Sequence, residues 1–147
     1  MQYDPMNTTH RRMLAEGVLG TVKSAGLRAE EQSNCFEEVF SLPVKERLSI
    51  KVYTSVDKRD GLIRSVGADA IRVCTVYNSR SGAVRGVGKE TRVHRVGDIN
   101  MIIVRMAERL NASLKAANSL PCCVYCGAPN FKSKNGNMVC SDICWKN

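Results

Sequence analysis

Aromatic residues make up only 5% of this 147-residue chain, and histidine occurs twice. The first shortage argues against a surface that reads splayed bases over several stacked rings, and favours recognition of backbone and shape if a nucleic acid is bound. The second argues against a His-centred active site. His94 has no second His near it in sequence and no Ser or Cys elbow, so it reads as a hydrogen-bonding surface residue, and no catalytic residue is assigned. Long apolar runs are missing as well: stretches such as Met101 to Val104 are far short of the roughly 20 residues that a bilayer core demands, so no membrane partner is expected. The start, Met1-Gln-Tyr-Asp-Pro-Met, lacks the basic region and apolar stretch of an export signal. A soluble protein of the reducing cytoplasm is the expectation. Acid is also in deficit. Twenty-two Lys and Arg against 14 Asp and Glu leave +8, a field that draws polyanions through counterion release.

What the chain does have is cysteine, unevenly spread. Five of seven lie in the tail, at Cys122, Cys123, Cys126, Cys140 and Cys144, against isolated Cys35 and Cys74. In a reducing compartment, thiolates two residues apart are better read as metal ligands than as a disulfide, because they converge on one ion at about 2.3 Å. Cys123-Val-Tyr-Cys126-Gly127 fits such a knuckle, with Gly127 permitting the tight turn that points backbone N–H groups at sulfur. Ala128 to Val139 contains Pro129, Gly136 and three Asn, which suits a hairpin that returns the chain to the metal. Cys140-Ser-Asp-Ile-Cys144 closes the site at one helical turn of spacing, with Ser141 and Asp142 supplying capping chemistry. The expected ligands of a structural Zn2+ are therefore Cys123, Cys126, Cys140 and Cys144, with Cys122 as a substitute for Cys123. A segment this short with few large apolar groups needs such a staple to fold. The tail resembles the ribbon or treble-clef zinc modules at the ends of topoisomerases and other nucleic-acid proteins.

Upstream, the period of the apolar residues sets the elements. Met13, Leu14, Val18 and Val22 recur at helical spacing behind Asn7 or Thr8 as cap, which predicts a helical arm over 1–28. Cys35, Phe36, Val39 and Phe40 predict a second helix from Ala29 to Leu42, ended by Pro43. From Leu48 the period becomes two, giving strands over Leu48 to Tyr53, Ala70 to Tyr77 and Glu90 to Val96. Asp98 then caps the longest helix, whose stripe is Ile99, Ile102, Ile103, Met106, Leu110 and Leu114, with Arg105, Glu108, Arg109 and Lys115 away from it. The expected fold is α+β: a three-stranded antiparallel meander covered on one face by the long helix, with the other face or an edge exposed. Expected domains are the arm over 1–28, a core over 29–119 and the zinc module over 120–147.

The positive charge concentrates between Ser79 and Gly97, where Arg80, Arg85, Lys89, Arg92 and Arg95 face the single acid Glu90, a local +4 interleaved with Gly82, Gly86 and Gly88. Glycines let a backbone approach a phosphate, and arginines offer forked donors. Gly88-Lys89 does not make a nucleotide-binding P-loop, because Ala83 fills the first glycine position and Glu90 replaces the Ser or Thr that would hold magnesium. Arg92 and His94 are expected on one strand face beside Arg72 and either Tyr53 or Tyr77.

Leu48 to Asn118, with its strands, basic Gly-rich hairpin and long helix carrying Arg105 to Arg109, resembles the β-β-β-α core of the single-strand DNA annealing proteins of recombination. That resemblance implies single-stranded DNA held in a basic groove, phosphate contacts from Arg80, Arg85, Lys89, Arg92 and Arg95, a groove lined by Arg105 and Arg109, and subunits joined edge to edge in a homo-oligomer. Three other readings compete. One is a double-stranded RNA-binding-like domain, which shares the helix and three strands but begins its last helix with a lysine cluster that is missing here. Another is a zinc-stabilised interaction protein that regulates a polymerase or nuclease. A third is a metal-dependent nuclease, which would need Asp57, Asp60, Asp69 and Glu90 to converge from their separate turns.

Overall fold

The computed structural model describes residues 1–30, 37–45, 47–57, 59–63, 71–78 and 84–120, with only the backbone of 84, 85, 88, 89, 132–134 and 137–139. Helix α1, Thr8–Ser24, starts where Asn7 Oδ1 accepts the His10 N–H at 3.2 Å. It ends in a Schellman turn: Gly26 N–H donates to Lys23 O and Leu27 N–H to Val22 O, both at 3.0 Å, with Gly26 at φ +83°. That turn folds Leu27 back beside Val22 in the core. Helix α1 is no separate arm. Leu14, Ala15, Val18 and Val22 are fully buried in the same cluster as the sheet and the second helix, because a lone helix with that apolar stripe must cover it.

The chain then forms β1 (Arg28–Ala29), β2 (Glu38–Lys45), β3 (Leu48–Thr54), β4 (Ile71–Asn78) and β5 (Val84–Val93), an antiparallel sheet in sequential order. Helix α2, Ile99–Ser119, follows, capped by Asp98, which accepts the Asn100 N–H at 2.9 Å. Leu120 leaves α2 in extended conformation ahead of Pro121, as a residue before proline does, and its carbonyl accepts from Lys45 Nζ at 2.9 Å.

The α+β class and the long capped helix match expectation; the strand count does not. The sheet has five strands, and 38–45 is strand β2, not the end of a helix. Phe40, Leu42 and Val44 alternate along it and pack toward the core, a period of two that outweighs the helical spacing of Val39 and Phe40. Pro43 is compatible with this strand because β1 reaches only to Ser41, so the N–H that proline lacks would have no partner there. Strand β5 begins at Val84, inside the segment expected to be a loop.

One sheet face carries Phe40, Leu48, Ile50, Val52, Ile71, Val73 and Val93 against Ile99, Ile102, Met106 and Leu110 of α2 and the stripe of α1. The two helices touch at Gly17, where a β-carbon would stand 2.2 Å from Ile103 Cδ1. The opposite face is not the open surface expected. Val39, Ser49, Lys51 and Val76 are all buried there, and Lys51 Nζ meets Glu30 Oε2 at 3.1 Å. In the tail, β6 (Lys132–Lys134) pairs antiparallel with β7 (Asn137–Val139), the hairpin expected between the two cysteine pairs.

Candidate nucleic-acid interface

Register assembles the site. Tyr53 on β3 lies directly opposite Arg72 on β4, and Arg72 lies opposite Arg92 on β5. Residues paired in this way share a face, and their neighbours Val52, Val73 and Val93 are core residues, so the row points away from the helices. The Arg72 guanidinium sits 4.8 Å from the centre of the Tyr53 ring, a cation–π contact. Of the two tyrosines considered, Tyr53 is the partner; Tyr77 pairs with Leu48 and packs against the core on the other face.

Acids also enter this row. Arg72 Nη2 donates to Glu37 Oε1 at 2.9 Å, its Nη1 lies 3.3 Å from Glu90 Oε1, and Glu90 Oε2 is 4.0 Å from Arg92 Nη2. Partial burial works against the Arg72 charge, but the hydrogen bond to Glu37 and the negative charges of Glu37 and Glu90 outweigh it and hold the guanidinium above its ordinary range. The Tyr53 hydroxyl is raised, first by burial and then by the negative charges around it. Beside them, burial pushes the Cys74 thiol up to about 11, with Glu90 adding to the shift, which makes it a poor nucleophile near neutral pH. Opposite Cys74 the β4–β5 ladder shifts register: Val73 pairs with Thr91 and Thr75 with Val87, so Gly88, Lys89 and Glu90 bulge against one residue. Glu90, two residues before Arg92, reaches both arginines from the edge of this bulge.

The remaining expected contacts do not gather here. Arg92 is 54% exposed and available at the surface, but Arg95 is only 8% exposed and sits inside the domain, out of reach of a phosphate chain. Arg105 and Arg109 belong to α2, on the helical side of the sheet, so they cannot line one groove with Arg92. Arg85 and Lys89 lie on β5, Arg85 in register with Tyr77, and Arg80 falls outside the described residues. Cys123, Cys126, Cys140 and Cys144 also fall outside them. Asp57 and Asp60 serve turn geometry: Asp57 Oδ1 accepts the Arg59 N–H at 2.8 Å, and Asp60 Oδ1 the Leu62 N–H at 3.1 Å. Among the described residues, no three His, Cys, Asp or Glu come together as a metal group. No helix among them is long and apolar enough to cross a membrane.

The chain matches no family model, no curated protein and no solved structure. The site's chemistry therefore has to speak for itself. Glu37 and Glu90 are the residues that sequence reasoning missed. Glu90 was considered as the lone acid of the basic segment and as a nuclease carboxylate, not as an arginine partner, and the position of Glu37 was hidden by reading its segment as helix.

Proposed function

We propose that this is a nucleic-acid-binding protein that favours single-stranded DNA and carries a structural zinc module at its C-terminal end. The observation that carries the reading is the in-register row Tyr53, Arg72 and Arg92, which sets a ring and two forked cations on the non-helical face of the sheet. The net charge of +8 supports it by drawing a polyanion toward the protein. A phosphate arriving at Arg72 takes the place of Glu37 or Glu90, and a base stacks on whatever part of Tyr53 the exchange uncovers. This is binding chemistry, with annealing or recombination as the process it suits. In the tail, Cys123, Cys126, Cys140 and Cys144 would hold the ion. Four thiolates suit tetrahedral Zn2+, and the β6–β7 hairpin between the two pairs has the antiparallel register of a zinc ribbon. Zinc supplies a cross-link there, not chemistry.

Binding of single- and double-stranded DNA and RNA by fluorescence anisotropy across a salt series tests this. The expected result is a single-strand preference, a steep fall in affinity with salt, and a salt slope shallower by about one for Arg92→Ala. Weak binding that ignores salt and strandedness would overturn it.

A second reading, a protein-interaction module, has its own observation. Met6 and Met13 near and on α1 and Met101 and Val104 on α2 are exposed at 75%, 39%, 50% and 46%, an apolar presence suited to a protein partner.

A further inference from the structure

Helices α1 and α2 cross at Gly17, whose missing side chain makes room for Ile103. The surface around that crossing is apolar and open. Met13, one turn before Gly17, is exposed, and so are Met101 and Val104 on either side of Ile103. Helical spacing puts Met13, Gly17 and Gly20 in one row on the α2 side of α1, and Val104 in the row just outside Ile103. Gly20 is itself exposed, and a β-carbon there would meet nothing within 4 Å. After proline, glycine is the residue that a helix interior tolerates least. Packing explains it at Gly17. At Gly20 nothing in the fold asks for it, and its effect is a notch beside the crossing where another backbone can come close.

Charge frames the notch. The two helices carry Arg11, Arg12, Lys23, Arg105, Arg109 and Lys115 against Glu16 and Glu108, a surplus of +4, and none of the six bases makes an ion pair among the described residues. By spacing, Arg12 and Lys23 lie in the next row outward on α1, and Arg105 and Arg109 share a row with Met101 on the far flank of α2. Unpaired bases around an apolar centre narrow the choice of occupant. A second copy would bring the same positive surplus against itself. A phosphate chain would leave the apolar centre unused, and a bilayer is met by longer apolar or aromatic side chains than one valine and two methionines. Methionine adapts to apolar side chains of varied shape, and a glycine notch suits a rigid rod laid across it, as when an amphipathic helix sits in a groove. We propose that the crossing of α1 and α2 docks an acidic amphipathic helix of a partner protein, its apolar side against Met13, Val104 and the Gly20 notch and its carboxylates toward Arg12, Lys23, Arg105 and Arg109. The proposal rests on the protein-interaction reading above and is independent of the Tyr53 row.

The full chain, isotopically labelled for NMR, is titrated with a synthetic peptide of about 18 residues, roughly five helical turns, with leucines along one helical face and glutamate and alanine elsewhere. Two further peptides separate its properties: a scrambled one of the same composition, which has no apolar face, and one with lysine for every glutamate. The expected result is amide shifts over Met13 to Gly20 and Met101 to Glu108 with the acidic amphipathic peptide, about tenfold weaker binding of the scrambled one, and no binding of the basic one. Gly20→Gln fills the notch without disturbing the fold, since its β-carbon meets nothing; it should weaken the acidic peptide about tenfold and leave the binding of decathymidylate unchanged. Equal binding of the scrambled peptide overturns the site, and so does a Gly20→Gln chain that binds the acidic peptide as wild type does. Shifts that fall outside the two helices also overturn it, while leaving the protein-interaction reading standing. Phosphatidylglycerol vesicles that bind the wild-type chain and not Gly20→Gln, with the acidic peptide inert, would give this face to a membrane surface instead.

Discussion

At Gly17, space decides the residue. A built β-carbon would lie 2.2 Å from Ile103 Cδ1 and 2.9 Å from its Cγ1, so the crossing of α1 and α2 depends on there being no side chain. The helix gains about 1 kcal/mol of propensity from any good helix former there, but overpacking costs typically 1–3 kcal/mol, and a leucine has nowhere to go. Gly17→Leu should therefore lower the thermal midpoint, and Ile103→Ala in the same chain should restore part of the loss; a Gly17→Leu protein as stable as wild type in thermal unfolding would mean the helices are not this close. Asp98 is a residue of a different kind, since it works through charge. Its carboxyl is held below the ordinary value first by the hydrogen bond from the Met1 ammonium and then by the Asn100 N–H. A lowered value in the folded state means the stabilisation is complete above the ordinary carboxylate value of about 4 and is lost as pH falls through the lowered one. Asp98→Asn keeps a capping side chain and removes the charge. In denaturant titrations, wild type should exceed Asp98→Asn at neutral pH, and the gap should close below about pH 4. A gap that stays constant with pH would show that the cap, not the charge, matters.

Whether an element is legible in sequence depends on whether its period has a rival. The stripe from Ile99 to Leu110 repeats for several turns behind a capping Asp98, and α2 is where that pattern places it. Leu48 to Tyr53 alternates cleanly, and β3 is there as well. Between Ala29 and Leu42 two periods overlap. Val39 and Phe40 suit a helix, while Phe40, Leu42 and Val44 suit a strand, and only pairing with Val52 and Ile50 on β3 settles which one buries more. Tertiary pairing of this kind is invisible along a single segment. The row Tyr53, Arg72 and Arg92 was half legible: types and strand face could be read, but register, and with it the choice of Tyr53 over Tyr77, could not. The burial of Arg95 left no mark in the sequence at all. What matters for binding is Glu90, which lies 3.3 Å from Arg72 and 4.0 Å from Arg92. Partly exposed pairs of this kind are worth roughly 0.2–1 kcal/mol, which a phosphate must replace. Glu90→Gln should thus raise affinity for single-stranded DNA by up to about fivefold in anisotropy titrations while changing thermal stability by less than about 1 kcal/mol. Unchanged or weaker binding would show that Glu90 does not compete with the ligand.

For the whole molecule, the question is how far the tail and the domain depend on each other. The described core draws its members from Tyr3 to Ala117, with Leu120 packed at its border, and the Lys45 bond to the Leu120 carbonyl fastens the end of α2 to β2. A domain closed in this way by two helices and a five-stranded sheet is expected to unfold as one cooperative unit, and the proposed zinc module is expected to depend on its metal instead. Stripping metal with a strong chelator should accordingly leave the main thermal transition where it is and abolish order in the tail alone. Thiol labelling at pH 8 reads the two parts separately, because Cys74, with its thiol pushed up to about 11, stays slow throughout. Chelation should make Cys123, Cys126, Cys140 and Cys144 label rapidly, as mapped by mass spectrometry, with one zinc released per chain. Cys122→Ser should keep the metal and Cys123→Ser lose it; the reverse would exchange their roles. A main transition that drops with chelation would mean instead that the tail is part of the domain's stability, and that the +8 charge and the zinc belong to one cooperative unit.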